Sequence, residues 1–218
     1  FMDNDKTMYY LNTCYKYIPE KGCHYFFWSR GPVCWSDEAW DADDLDVNWV
    51  TSALLYNGNA SASSHPVWSV DGEERSKSYW GNYFAMIRSC SIFLSNIGTA
   101  KVNSEGDRAR WTAEAHVLRA YYYSELLRWF GCGLPIIREP YGLDQDFSEV
   151  TRSSYYEVVK FIMEDCDAAL ANSELPWRIT TGNEPLRVTK AMAEAIKARM
   201  ILYAASPLYN EGQNHWEE

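Results

Sequence analysis

The sequence predicts an all-α fold of paired helices joined by long irregular loops. Three observations carry this reading. Apolar residues recur at three- and four-residue spacing through the second half of the chain, capping residues bracket those runs, and strand-like alternation is weak throughout. The composition agrees: 218 residues, 47% hydrophobic and 23% charged, with a mean hydropathy of −0.40. Such a chain can bury one good-sized core or two small ones. Ten Trp, sixteen Tyr and eight Phe make aromatic packing heavy.

Taken in order, residues 5–17 predict a helix with Met8, Leu11 and Tyr15 facing inward, and residues 43–56 a second through Leu45, Trp49 and Leu55. A third carries Trp80, Tyr83, Ile87, Cys90, Leu94 and Ile97 on one face and stops at Gly98. A fourth repeats the pattern at Trp111, Ala115, Leu118, Tyr122, Leu126 and Trp129, with Gly131 as its C-cap. The next begins at Ser154, where Glu157 three residues on completes a capping box, and its stripe is Tyr155, Val158, Ile162, Cys166 and Ala169. The last starts near Thr189 and stops before Pro207, because the residue ahead of proline avoids the helical region. Its alanines (Ala191, Ala193, Ala195, Ala198, Ala204 and Ala205) suggest close approach of another helix. Residues 57–77, 131–152 and 172–188 are the long connections. Paired helices resemble tetratricopeptide stacking, although the helix starts keep no strict 34-residue period.

The chain carries 20 Lys plus Arg against 30 Asp plus Glu, a net charge of −10. That field repels phosphate backbones and argues against a nucleic-acid partner. No apolar run reaches the roughly 18–20 residues a membrane-spanning helix needs. The six cysteines lack C-x-x-C spacing; Cys90 and Cys166 sit on apolar stripes, while Cys23 and Cys34 flank a loop, a spacing open to a disulfide but favouring two free thiols. His24, His65, His116 and His215 show no metal-ligand spacing, and no nucleophile elbow, P-loop or dinucleotide fingerprint occurs. The sequence therefore predicts neither an enzyme, nor a metal, nor a cofactor. The acidic run 37–48 offers a D-x-D-x-N start at Asp44, Asp46 and Asn48, but Trp49 and Leu55 stand where a calcium loop requires Gly and Glu. Nor does it single out a glycosidase pair; a solvated acidic helix start is the better account.

Residues 115–137 read AHVLRAYYYSELLRWFGCGLPII. Successive helix residues point about 100° apart, so Tyr121, Tyr122 and Tyr123 cannot share one face. Tyr122 lies on the apolar stripe and its neighbours flank it, which predicts packing on two sides and no ligand platform.

The same segment, from AEAHVLRA through FGCGLP, resembles the A-E-A-x-x-L-R-A-x-x-Y-x-x-L helix and following F-G-x-x-P of the SusD/RagB family. Further segments agree in order: WSDEAWDAD (35–43), WGNYFAMIRSCSIFLSNI (80–97), TRSSYYEVVKFIMEDCDAAL (151–170) and TKAMAEAIKARMILYAASPLYN (189–210). Ser91 departs from the Asn common in the family. The resemblance implies a cell-surface lipoprotein of Bacteroidetes with tetratricopeptide-like helix pairs. Such a protein captures glycan without cleaving it and passes it to a SusC-like TonB-dependent transporter in the outer membrane. The RagB branch implies a peptide ligand as an alternative, and an all-α glycosidase-like enzyme is a third possibility. Family members are about twice this length and carry a lipidated N-terminal cysteine, whereas no lipobox precedes Phe1. Residues 1–218 are therefore expected to form the N-terminal part of a single SusD-like domain, its apolar faces completed by a C-terminal remainder.

The loop at 57–79 is the expected binding element. Sugars expose apolar C–H faces ringed by hydroxyls, so they are gripped by aromatic rings beside amide, imidazole and guanidinium groups. Trp68 with Asn59, His65, Arg75 and Tyr79 supplies that combination. Trp68 has a competing role as a loop anchor, and Trp80, on the helix stripe, is assigned to the core.

Overall fold

A computed structural model of the chain describes residues 1–18, 38, 57–59, 61, 79–131, 133–142, 144–180 and 187–210. The chain divides into two compact units, one formed by residues 1–16 with 83–218 and the other by residues 17–82. Six helices occur among the described residues: α1 (Asn4–Thr13), α2 (Tyr79–Ile97), α3 (Glu105–Phe130), α4 (Tyr155–Leu170), α5 (Lys190–Ala204) and α6 (Pro207–Asn210). The all-α reading holds. The helix predicted at 43–56, the acidic run apart from Glu38, and the Cys23–Cys34 pairing lie outside the described residues.

Local chemistry sets the helix ends. Asp3 caps α1 by accepting from the backbone N–H groups of Asp5 and Lys6. The helix is shorter than the predicted span of 5–17 because the chain tightens after Thr13. There, three-residue backbone bonds (Cys14 to Leu11, Tyr15 to Asn12, Lys16 to Thr13) replace the four-residue ladder. Ser104 caps α3 and Gly131, at φ 68°, closes it, a backbone conformation glycine takes without steric cost. The Ser154–Glu157 capping box opens α4 as expected. Thr189 caps α5. Pro207 then begins α6, where its missing N–H costs nothing.

From α2 to α5 each helix runs antiparallel to the one before, as the pairing of their side chains shows. Between α2 and α3, Tyr83 meets Tyr122, Ser91 meets Arg119, and Arg108 reaches the carbonyl of Ile97. Between α3 and α4, Tyr123 packs edge-on against Phe161, and Asn172, just past α4, donates to the carbonyl of Ala109. Between α4 and the α5–α6 end, Asp167 pairs with Lys197 and Tyr155 stacks on Tyr209 at 3.8 Å.

α3 is the central element, buried along most of its length. Tyr122 and Tyr123 are fully buried, and Tyr121 is half-buried with its ring edge-on to Tyr122. The tyrosines are packing, as the helical geometry predicts. Their hydroxyls are also used: Tyr122 donates to the carbonyl of Cys14 and Tyr123 to that of Pro135, while the Ile137 N–H donates to Tyr123. Burial pushes the Tyr123 hydroxyl up to about 12. Cys90 and Cys166 are buried free thiols, and so is Cys14. The predicted stripe of α4 is buried throughout.

Several side-chain placements differ from expectation. Met8 and Trp80 are only half-buried, and in α1 Thr7 takes the inner position instead, its hydroxyl donating back to the carbonyl of Asp3. On α2, Leu94 is half-buried while Met86, Ser91 and Phe93 join the core, because that helix is covered over a wider arc than one stripe. Of the six alanines on α5 and at its C-cap only Ala193 is buried; Ala191, Ala195, Ala198 and Ala205 are exposed. The close approach those alanines predict is not made within these residues.

Candidate functional site

Of the expected ligand residues, Trp68, His65 and Arg75 lie outside the described residues. Asn59 is exposed, next to Gly58, whose φ of 69° turns the backbone there. Tyr79 is the first residue of α2, so it opens a helix instead of ending a loop.

An exposed aromatic absent from the sequence reading is Trp177. It stands 59% exposed on the connection between α4 and α5. This segment is held from several sides. Leu175 is buried, the N–H of Lys190 donates to the carbonyl of Pro176 at 3.0 Å, and Asn172 donates to Ala109 at 2.8 Å while accepting from the N–H of Glu174. The Lys190 ammonium lies 6.0 Å from the indole centroid. A fixed backbone presents the ring to solvent, so little entropy is lost when a flat apolar surface lies on it. The local signal is E-L-P-W, a buried leucine and a proline just before a tryptophan, within a stretch read only as a loop.

The first unit also has a cleft of about 280 Å³, lined by Leu94, Ser95, His116, Arg119, Arg138 and Glu139. Its floor is an ion-pair cluster. Asp165 accepts from Arg119 at both carboxylate oxygens, each at 2.8 Å, and its Oδ1 lies 2.7 Å from His116 Nδ1. Arg119 also donates to Ser91 Oγ at 3.1 Å and to the carbonyl of Arg138. Burial pulls the Asp165 carboxyl upward, but the bonds from Arg119 and His116 outweigh it and hold the group below its usual value. Ser91, the departure from the family pattern, thus supplies a buried acceptor to Arg119.

An imidazole beside a carboxylate resembles a general-base pair. Here the carboxylate is saturated by Arg119, and the one proton of the lining Ser95 hydroxyl has two acceptors in reach, the carbonyl of Ser91 at 2.9 Å and Glu139 at 3.0 Å. Arg138 stacks on Phe161 and pairs with Glu164. The groups satisfy one another across α2, α3, α4 and the 133–142 segment, which makes this cluster a brace. A second brace holds α1: buried Glu114 accepts from Tyr15, Arg110 and Arg187, and Arg187 also donates to Asn12.

A SusD-like family profile, described as starch-binding associating with outer membrane, matches residues 36–202. Among solved structures, a SusD-like protein from Bacteroides fragilis is 28% identical with a TM-score of 0.71, the alignment covering 92% of this chain and 35% of that one. A laminarin-binding SusD-like protein is 21% identical with a TM-score of 0.71, over 93% of this chain and 41% of that one. Surface glycan-binding protein A from Bacteroides thetaiotaomicron, in complex with laminarihexaose, is 15% identical with a TM-score of 0.65, over 91% and 38%. The last two likenesses speak to the fold. No curated protein matches. This chain spans well under half the length of each of these three structures.

Proposed function

Because the chain belongs to the SusD/RagB family, whose SusD-like profile is described as starch-binding associating with outer membrane, we propose that it binds oligo- or polysaccharide at the cell surface. It holds the glycan without cleaving it and delivers it to a SusC-like TonB-dependent transporter, as part of a lipid-anchored outer-membrane protein. The observation that carries this reading is the profile match over residues 36–202. No helix among the described residues is long and apolar enough to cross a membrane.

Two aromatic contacts are assigned to the ligand. Trp68, with Asn59, His65, Arg75 and Tyr79 around it, is the primary candidate from the sequence. Trp177 is the candidate from the structure, because its ring is exposed on a pinned backbone. Each ring would stack on the apolar face of a sugar, with a free energy on the order of 1–3 kcal/mol by analogy with base stacking.

Affinity gel electrophoresis against a panel of polysaccharides, run beside a reducing-sugar assay, tests the reading. Retardation without sugar release is expected. Release of reducing ends would make the protein a glycosidase, and retention of peptides alone would make it a peptide-binding subunit.

A further inference from the structure

Among the described residues, two buried thiols, Cys14 and Cys90, meet in the core between α1 and α2. Cys14 is the C-cap of α1 and Cys90 lies within α2, and both are fully buried. Contacts on either side fix their level. The Cys14 thiol donates to the carbonyl of Tyr10 at 3.7 Å, and the Tyr10 ring lies nearly parallel to Phe93 with centroids 6.4 Å apart. Tyr122 donates to the carbonyl of Cys14 at 2.6 Å, while its ring packs on Tyr83 at 5.6 Å. Tyr83 lies two turns before Cys90 and Phe93 about one turn after it, so the stretch of α2 facing Cys14 is the one that carries Cys90. The two side chains hydrogen-bond to each other there. The buried thiol of Cys166 instead has Asp165, Asp167, Lys197 and Glu194 as its ionisable neighbours.

The pair also has a distinctive place in the chain. The first unit ends its opening segment at Lys16 and resumes at Tyr83, so residues 17–82 all lie between the two cysteines. We propose that Cys14 and Cys90 are a dithiol that closes to a disulfide on reaction with a disulfide oxidant, clasping α1 to α2 where the chain leaves the first unit and returns to it. Cys14 attacks first, because it ends a ten-residue helix, where local opening is easiest, whereas Cys90 has helix on both sides. Burial pushes the Cys90 thiol well above its ordinary value, which also makes it the later nucleophile. The Cys14 thiolate breaks the oxidant's S–S bond, forming a mixed disulfide and expelling one oxidant thiolate. The Cys90 thiolate then attacks Cys14 Sγ, forms the Sγ–Sγ bond and expels the second. Two electrons pass to the oxidant, and its two sulfurs leave as thiols with the two protons the cysteines gave up. The inference stands apart from the glycan reading, since closure does not involve the ligand.

Refolding the full-length protein in oxidised glutathione, blocking remaining thiols with N-ethylmaleimide under denaturing conditions, and mapping peptides by non-reducing mass spectrometry tests the pair. The expected product is a Cys14–Cys90 linked peptide, with Cys166 alkylated as the internal control. The link closes a loop of about 75 residues, so the oxidised protein should melt roughly 10 °C above the same protein kept in reductant. Cys14→Ala and Cys90→Ala should each abolish that redox-dependent difference, and the double variant should show no further loss of it. Recovery of Cys14 and Cys90 both alkylated after refolding in oxidised glutathione would overturn the proposal, as would Cys14 linked to Cys23 or Cys34. A Cys14–Cys90 link that leaves the melting temperature of wild type unchanged would overturn the clasp. The mapping is made on wild type, so the test stands even where an alanine variant fails to fold.

Discussion

At the scale of single residues, the strongest commitments are polar groups sealed inside an apolar stack. Asp165 is 3% exposed, and its carboxylate is filled by Arg119 and His116. Removing one partner strands a buried charge, so Asp165→Asn should cost about 3–5 kcal/mol in chemical denaturation. The sign with pH follows from the depressed carboxyl. Its contribution is complete above the unfolded value near pH 3.9 and is lost as pH falls through the lower folded value. Wild type should therefore lose stability more steeply than Asp165→Asn below about pH 4, which acid titration of the midpoint will show. The aromatic contacts belong to this scale too. Trp177→Ala should leave the melting temperature within a degree or two, since the ring is mostly exposed, and should weaken glycan retention in gels about fivefold or more. A large drop in melting temperature would make Trp177 an anchor instead. Trp68→Ala is expected to behave in the same way.

At the scale of elements, caps and stripes explain why the helices sit where they do. The N-cap hydroxyl of Ser154 accepts from the N–H of Glu157, and the Glu157 carboxylate accepts in return from the N–H of Ser154. Ser154→Ala should cost about 1 kcal/mol, measured as a shift in the denaturation midpoint without a change in its slope. The caps at Ser154, Thr189 and Gly131 and the stripe of α4 were legible because each depends on residues within one or two helical turns. Two features were not. α1 tightens after Thr13, and α2 is buried over a wide arc; both depend on what packs against the helix. Tyr15, for example, ends its turn by donating to Glu114, nearly a hundred residues away.

At the scale of the whole molecule, the first unit is an antiparallel stack built outward from α3, braced at Glu114 and at Asp165. The chain's net charge of −10 leaves it suited to neutral or cationic ligands. Purified protein should retard in polysaccharide gels with little dependence on salt, because stacking and hydrogen bonds to uncharged sugars are not screened. Strong salt sensitivity would point to a charged ligand.

The sequence by itself determined the helical class, most of the boundaries, the packing role of the three tyrosines and, through five ordered segments, the family. These follow from periodicity and capping, which act over a few residues and leave their record in the local pattern. Tertiary structure decided which apolar face finds a partner. The alanines of α5 read as one close-packing signal, yet only Ala193 is buried here, since periodicity marks an apolar face without naming its neighbour. It likewise decided that Trp177 is presented and Ser91 is buried. Exposure depends on contacts between residues far apart in the chain, and no local pattern encodes them.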